Sequence, residues 1–291
     1  MLTLQAAGAK DAGKIREMNE DDFFVKVVQS SEEEPVGLFI VADGIGGHMG
    51  GEFASEWAVE TIREELKELF IPTDPRKTVK LDSAEIEAMV SGRPAPTRRL
   101  DETEVERMIR RAVERANEVV LGIARAKPAE AADTGSTVTL AVVQGLTAYV
   151  ANVGDSRTYL FRNGELMPIT TDHSVVASLV AAGQIQPEDV YTHPQRNLIY
   201  RSLGGKAEVE ADLFRRELQP GDQLLLCSDG LWEMVRDPQI AKIMEKAPNP
   251  TTACERLVRA ANDNGGEDNI AVVVVWVESK NSKEVFYGSV L

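Results

Sequence analysis

The stretch from Thr137 to Ile169 constrains this chain more than any other. It reads TVTLAVV (137–143), LTAYVANV (146–153), RTYLF (157–161) and ELMPI (165–169), four short β-rich runs separated by two or three residues. Strands joined so tightly must pair antiparallel, because a parallel pair needs a crossover of a dozen or more residues. Asn163-Gly164 supplies the hairpin turn between the last two. Further strands are expected at 3–9, 22–28, 36–42, 223–228 and 270–277, each bounded by turn residues.

Helical periodicity marks two long segments. Phe53, Trp57, Ile62, Leu66 and Leu69 share one face of 52–70, and Val105, Ile109, Ala112, Ala116, Val119 and Ile123 share one face of 101–126, which opens on the capping-box pair Asp101 and Glu104. Shorter helices are expected after Asp237-Pro238, with Asp237 as cap, and at Thr252, with Glu255 completing a box and Gly265 ending the helix. Consecutive strands without intervening helices exclude a doubly wound sheet. The expected class is α+β, with helices packed on mainly antiparallel sheet. Residues 71–100 carry four prolines and poor periodicity and read as a surface insertion, and 279–291 as a solvated tail. Neither half holds enough strands for a closed core, so 1–278 is expected to form a single domain.

An apolar fraction of 43% with 27% charged residues is that of an ordinary globular protein. No apolar run reaches the length of a membrane span, and MLTLQAAGAKDAGK lacks the layout of a secretory signal. Cys227 and Cys254 sit in apolar patterns as core residues, consistent with a reducing compartment, so a cytoplasmic location is expected. A net charge of −15 argues against nucleic-acid and anionic-membrane partners.

Three places share one grammar, an apolar strand meeting an aspartate in a glycine-rich loop: FIVADGIGG around Asp43, LLLCSDG around Asp229 and GGEDNIAVVVV around Asp268. A fourth acidic cluster, Asn19-Glu20-Asp21-Asp22, precedes the strand DFFVKVV. Taken singly, Asp-Gly is a turn. Carboxylates converging at strand ends repel one another and hold their protons unless a cation sits among them. Oxygen ligands with no Cys and almost no His select hard ions such as Mg(II) or Mn(II).

The ordered series IREMNEDDF (15–23), VADGIGGHMGGE (41–52), DTGSTVTLAVV (133–143), ANVGDSRTYLFRNGEL (151–166), TTDHS (170–174), HPQRNLIYRSLG (193–204), LLLCSDGLWEMV (224–235) and GGEDNIAVVVV (265–275) resembles the metal-dependent protein phosphatases, the PPM or type 2C serine/threonine phosphatases, in particular bacterial members. The resemblance spans nearly the whole chain. It implies a four-layer α-β-β-α sandwich with two sheets. It also implies hydrolysis of phosphoserine and phosphothreonine by a water activated at a two-ion Mn or Mg centre, in opposition to a Ser/Thr kinase. The implied partners are phosphorylated proteins and their kinase, with the enzyme a monomer.

Carried over by motif, Asp43 would bridge the two ions, Gly44 would offer its carbonyl, and Asp229 and Asp268 would complete the shell. Glu20 and Asp21 match the acidic pair near the metals, directly or through water, and Asp133 matches a ligand of a third, weakly held ion. Arg16 matches the arginine that holds the substrate phosphate, which suits a planar guanidinium that is always charged. Eukaryotic relatives place a histidine directly after the Asp-Gly, whereas Ile45 stands here, leaving His48 in the same loop as the candidate proton donor. His173 and His193 read as loop residues, Asn152, Asp155, Ser156 and Arg157 as architectural, and Asn269 as orienting Asp268. The alternatives are a catalytically weak phosphoprotein-binding module of the same fold and, against the acidic surface, a two-metal nuclease.

Overall fold

The computed structural model describes residues 1–29, 34–46, 49–70, 102–126 and 134–279. The insertion 71–100, the tail beyond Ser279, the Asp101 cap, His48 and Asp133 therefore lie outside the described residues. One sheet runs in the order β1 (Leu2–Asp11), β11 (Ile270–Ser279), β10 (Gln223–Cys227), β7 (Arg157–Arg162), β8 (Glu165–Pro168). The other runs β2 (Asp21–Val28), β3 (Val36–Ile45), β5 (Val138–Gln144), β6 (Thr147–Val153), β9 (Asp212–Glu217), with the two-residue β4 (Gly135–Ser136) paired to the end of β3. Every pairing is antiparallel, as the short connections require. Asn163 at φ 54° and Gly164 at φ 86° form the expected hairpin turn between β7 and β8.

The sheets pack face to face, and helices cover both outer faces. α1 (Met49–Glu65) and α2 (Glu102–Ala126) lie on the second sheet. α5 (Asp237–Lys246) and α6 (Pro250–Asp263) lie on the first, with the shorter α3 (Val175–Ala181) and α4 (Asp229–Trp232) between. This layering explains why β3 and β11 are apolar at nearly every position. Leu38, Ile40 and Ala42 face the helices while Phe39 and Val41 face the opposite sheet, and Val272 and Val274 alternate with Val273 and Val275 in the same way.

The structure corrects several local expectations. β9 and β4 were not expected: β9 (DLFRRE) is a charged edge strand with no apolar alternation, a composition that discourages pairing with another chain. The first turn of α5 contains Asp237 and its cap position is Arg236; the cap of α6 is Asn249, whose side chain accepts from the Thr252 amide at 2.8 Å. α1 ends at Glu65, and a 3-10 turn covers Lys67–Phe70. The buried face of α1 is set by Ala54, Ala58 and Ile62, continued by Leu66 just past its end, while Trp57 is 48% exposed. Small side chains let α1 approach β3 and α2 closely, and that displaces the bulky indole outward. Ala58→Leu should therefore cost about 1–3 kcal/mol by overpacking, and Trp57→Ala under about 1 kcal/mol, in urea denaturation.

Candidate metal centre

The pairing of β2 with β3 sets Asp21 directly opposite Asp43 at the ends of their strands. The Asp43 backbone is fully engaged: its amide donates to Thr137 Oγ1 at 3.1 Å, and its carbonyl accepts from the Thr137 amide at 2.8 Å and from Ser136 Oγ at 3.1 Å. The β4 bridge thus locks the strand end and holds the carboxylate beside that of Asp21. Asp229 opens α4 directly after β10, and Asp268 lies in the loop before β11. β3, β10 and β11 are central strands, whose buried scaffold fixes the positions of Asp43, Asp229 and Asp268.

The glycines in this loop answer to close crossings. A Cβ on Gly44 would stand 2.2 Å from the Gly51 carbonyl and 2.5 Å from that of Glu20, and one on Gly51 would stand 2.8 Å from the Glu20 carboxyl carbon. Ser55 Oγ donates to the same Glu20 carbonyl at 2.5 Å. Glu20 is therefore seated against the start of α1 with no room for a side chain between.

The acids feel one another strongly. Burial pushes Asp21 up to about 7, with the Asp268 charge adding to it and a hydrogen bond from Ser228 Oγ at 2.7 Å opposing it. Burial, then Asp229, Asp21, Asp155 and Asp268, hold Asp43 well above the usual carboxylate range. Burial, then Asp155 and Asp268, do the same to Asp229. Asp155 itself is pushed up to about 7, by burial first and Asp172 next. Burial is the largest cause in each case and like charge adds to it, a cost that a cation among the carboxylates would relieve.

Asp268 Oδ2 accepts from Arg16 Nη2 at 2.7 Å, which sets the predicted phosphate-binding arginine beside the acids. The loop bearing Arg16 is held by Asn269: its amide nitrogen donates to the Ala12 carbonyl at 3.0 Å and the Met18 carbonyl at 2.8 Å, and its oxygen accepts from the Glu20 amide at 2.8 Å. The Lys14 amide adds a bond to the Gly266 carbonyl at 2.7 Å. Asn269 thus does more than orient Asp268, whose Oδ1 nevertheless accepts from the Asn269 amide at 2.8 Å.

The described residues include two groups that the sequence reading missed or undervalued. Ser228 bridges Asp21 and β11, its Oγ also accepting from the Ala271 amide at 2.8 Å; nothing in LLLCSDG marks it. Asp155 belongs electrostatically to the site although ANVGDSR read as scaffolding. The rest of that motif is scaffold, with Arg157 bonded to both Asp172 oxygens and its guanidinium 3.6 Å above the Trp232 ring. His173 is 3% exposed, accepts from the Gly154 amide on Nδ1 at 3.0 Å and reaches Asp212 through Nε2 at 3.2 Å. It is a structural tie. His193 Nδ1 caps a turn by accepting from the Gln195 amide at 3.1 Å.

As they stand, no three His, Cys, Asp or Glu side chains among the described residues close on a common point in the way a preformed metal nest would. The donor chemistry nevertheless fits a hard divalent cation. Asp21 is 1% exposed, and its Oδ1 is buried with no hydrogen-bond partner, an arrangement that costs about 1–3 kcal/mol if left unmet. The donors these residues offer are all oxygen.

Comparison with known proteins places the chain. A sequence model described as Protein phosphatase 2C matches residues 14–264. The serine/threonine phosphatase stp of Listeria monocytogenes is 34% identical over 265 residues, covering 91% of this chain and 92% of the relative. PstP of Mycobacterium tuberculosis is 33% identical over 95% of this chain, which spans 45% of that longer protein. The S. agalactiae serine/threonine phosphatase structure superposes with a TM-score of 0.76 at 30% identity, over 95% of this chain and 100% of that one. The PstP catalytic domain in complex with two manganese ions superposes with 0.71 at 31% identity, over 96% and 100%. The chain belongs to the protein phosphatase 2C family, the PPM class, and is an enzyme of the serine/threonine phosphatase type with that family's two-sheet sandwich. No helix among the described residues is long and apolar enough to cross a membrane.

Two outcomes follow. With a chelator present, Asp21 holds its proton more tightly folded than unfolded, its value rising from 3.8 to about 7, so the unfolded chain binds fewer protons in that window and stability falls as pH rises through it. Thermal melts at pH 5 and pH 8 should show this fall, and Mn(II) should reduce it. Asn269→Ala should cost about 2–4 kcal/mol, for three lost hydrogen bonds near 1 kcal/mol each, in chemical denaturation.

Proposed function

We propose that the chain hydrolyses phosphoserine and phosphothreonine in proteins with a water activated at a two-ion Mn or Mg centre, opposing a Ser/Thr kinase, as one catalytic unit over 1–278. The observation that carries this reading is the gathering of Asp21, Asp43 and Asp229 at neighbouring strand ends, with an unmet Asp21 oxygen within and Arg16 alongside. Asp43, Asp229 and Asp268, with the Gly44 carbonyl, would hold the ions, and Glu20 and Asp21 would complete the shell directly or through water. Asp133 is the proposed ligand of a third ion. When bound, the ions supply the positive charge that acidifies a water and offsets charge on the phosphoryl oxygens.

Arg16 receives the phosphate. Its guanidinium is about half exposed, and its ion pair with Asp268 is open enough to be exchanged for phosphate oxygens, which it can meet with two parallel hydrogen bonds. Asn269 keeps that arginine in register. Cys227 is buried and its thiol is pushed above its ordinary range by burial, so it is no nucleophile. His48 remains the proposed proton donor. The two free, buried cysteines accord with the proposed cytoplasmic location, and a monomer with phosphoprotein partners is the proposed state.

The test is turnover of p-nitrophenyl phosphate and of a phosphothreonine peptide with Mn(II), with EDTA, and by Asp229→Asn. Both substrates should turn over only with metal, and Asp229→Asn should lose about 10²-fold or more in kcat. Binding of phosphopeptide without turnover of either substrate would refute the reading in favour of a binding module.

A further inference from the structure

The outward-facing Trp57 lines a groove of about 430 Å³ between α1 and β2. Phe24 of β2 and Phe53 of α1 join it, and Asp22, Glu56 and Glu60 supply carboxylates along its sides. β2 is an edge strand, paired only with β3 among the described residues. One end of the groove is lined by chain neighbours of the acidic centre. Asp22 follows Asp21 on β2, and Phe53 lies two residues past Gly51, where a Cβ would stand 2.8 Å from the Glu20 carboxyl carbon. From there both elements run away from the centre together.

We infer that this groove seats the polypeptide flanking the phosphorylated residue, an extended segment with an apolar side chain against Trp57 and a basic one beside Glu56. The inference rests on the phosphatase reading and deepens it to substrate sequence. Lys10 already pairs with Asp22 at 3.0 Å, and Arg63 pairs with Glu60, whereas Glu56, next to the indole, has no ion-pair partner among the described residues. The charge left over is negative and calls for a cation from the ligand. α1 advances about 1.5 Å per residue, so Trp57 stands about 9 Å beyond Gly51, and an extended peptide covers about 3.3 Å per residue. The apolar residue therefore falls about three positions from the phosphorylated one, with the basic residue adjoining it.

Three phosphothreonine peptides test this: one with Leu three and Arg four residues after the phosphothreonine, one with both at the same distances before it, and one with Ala at all these positions. Each is assayed beside p-nitrophenyl phosphate with wild type, Trp57→Ala and Glu56→Lys. One Leu/Arg peptide should exceed the Ala peptide about tenfold in kcat/KM. Trp57→Ala should remove most of that preference and Glu56→Lys the arginine part, through KM, while p-nitrophenyl phosphate is hydrolysed as before. Equal turnover of all three peptides, or a preference that both variants retain, overturns the groove while leaving the phosphatase standing. Loss of all metal-dependent turnover in wild type sinks the phosphatase reading, and the groove with it. A concentration-dependent dimer in sedimentation that Trp57→Ala dissolves would give the groove to a second copy and overturn the proposal.

Discussion

Carboxylates crowded at one end of a β-sandwich are the constraint around which this structure is arranged. Asp21, Asp43, Asp155 and Asp229 each lie where burial and like charge hold the proton on. A fold assembles such a cluster only where the surrounding scaffold is strong enough to offset the repulsion. Here that scaffold is the interior of two sheets buried on both faces, with three contiguous apolar layers. The acids stand at the rim of this interior, on strands that cannot shift without unpacking valines and leucines on both sides.

The second requirement is to bring the two ends of the chain together. β1 pairs with β11 over their full length, and this carries the loop after β1 onto the loop before β11. Asn269 then stitches the two with bonds to residues 12, 18 and 20, and Ser228 ties Asp21 to β11. An amide side chain suits this position because it donates and accepts at once within one plane. Arg16 and Asp268, separated by 252 residues, meet as a result. The arrangement of these residues thus depends on polar ties that look unremarkable in sequence.

Packing around the centre also decides what its surroundings offer a substrate. Ala54 and Ala58 allow α1 to lie close on the sheet, and the same closeness turns Trp57 out beside the edge strand β2. The helix start is fixed by the crossing of Gly44, Gly51 and Glu20, so the groove and the acidic centre share one frame. Arg196 approaches Glu233 at 3.6 Å, linking the segment after the 3-10 turn Pro187–Tyr191 to the end of the helix that begins with Asp229.

The sequence by itself determined the antiparallel sheets, because strands two or three residues apart have no other way to pair. It also brought Asp43, Asp229 and Asp268 forward as candidates, because the strand-aspartate-glycine pattern recurs three times although each one alone reads as a turn. The ordered motifs carried the resemblance to the family. Tertiary structure alone decided the rest. β9 gives only Leu213 and Phe214 to the core layers on its two faces, too short an apolar pattern to mark a strand, and the caps lie a few residues from the expected ones because helix ends are chosen by packing. Trp57 was assigned to the buried face because periodicity counts large apolar residues, whereas close helix packing is won by small ones. Ser228, Asn269 and Asp155 took their roles from partners up to 257 residues away, and hydrogen bonds over such separations leave no trace in local sequence.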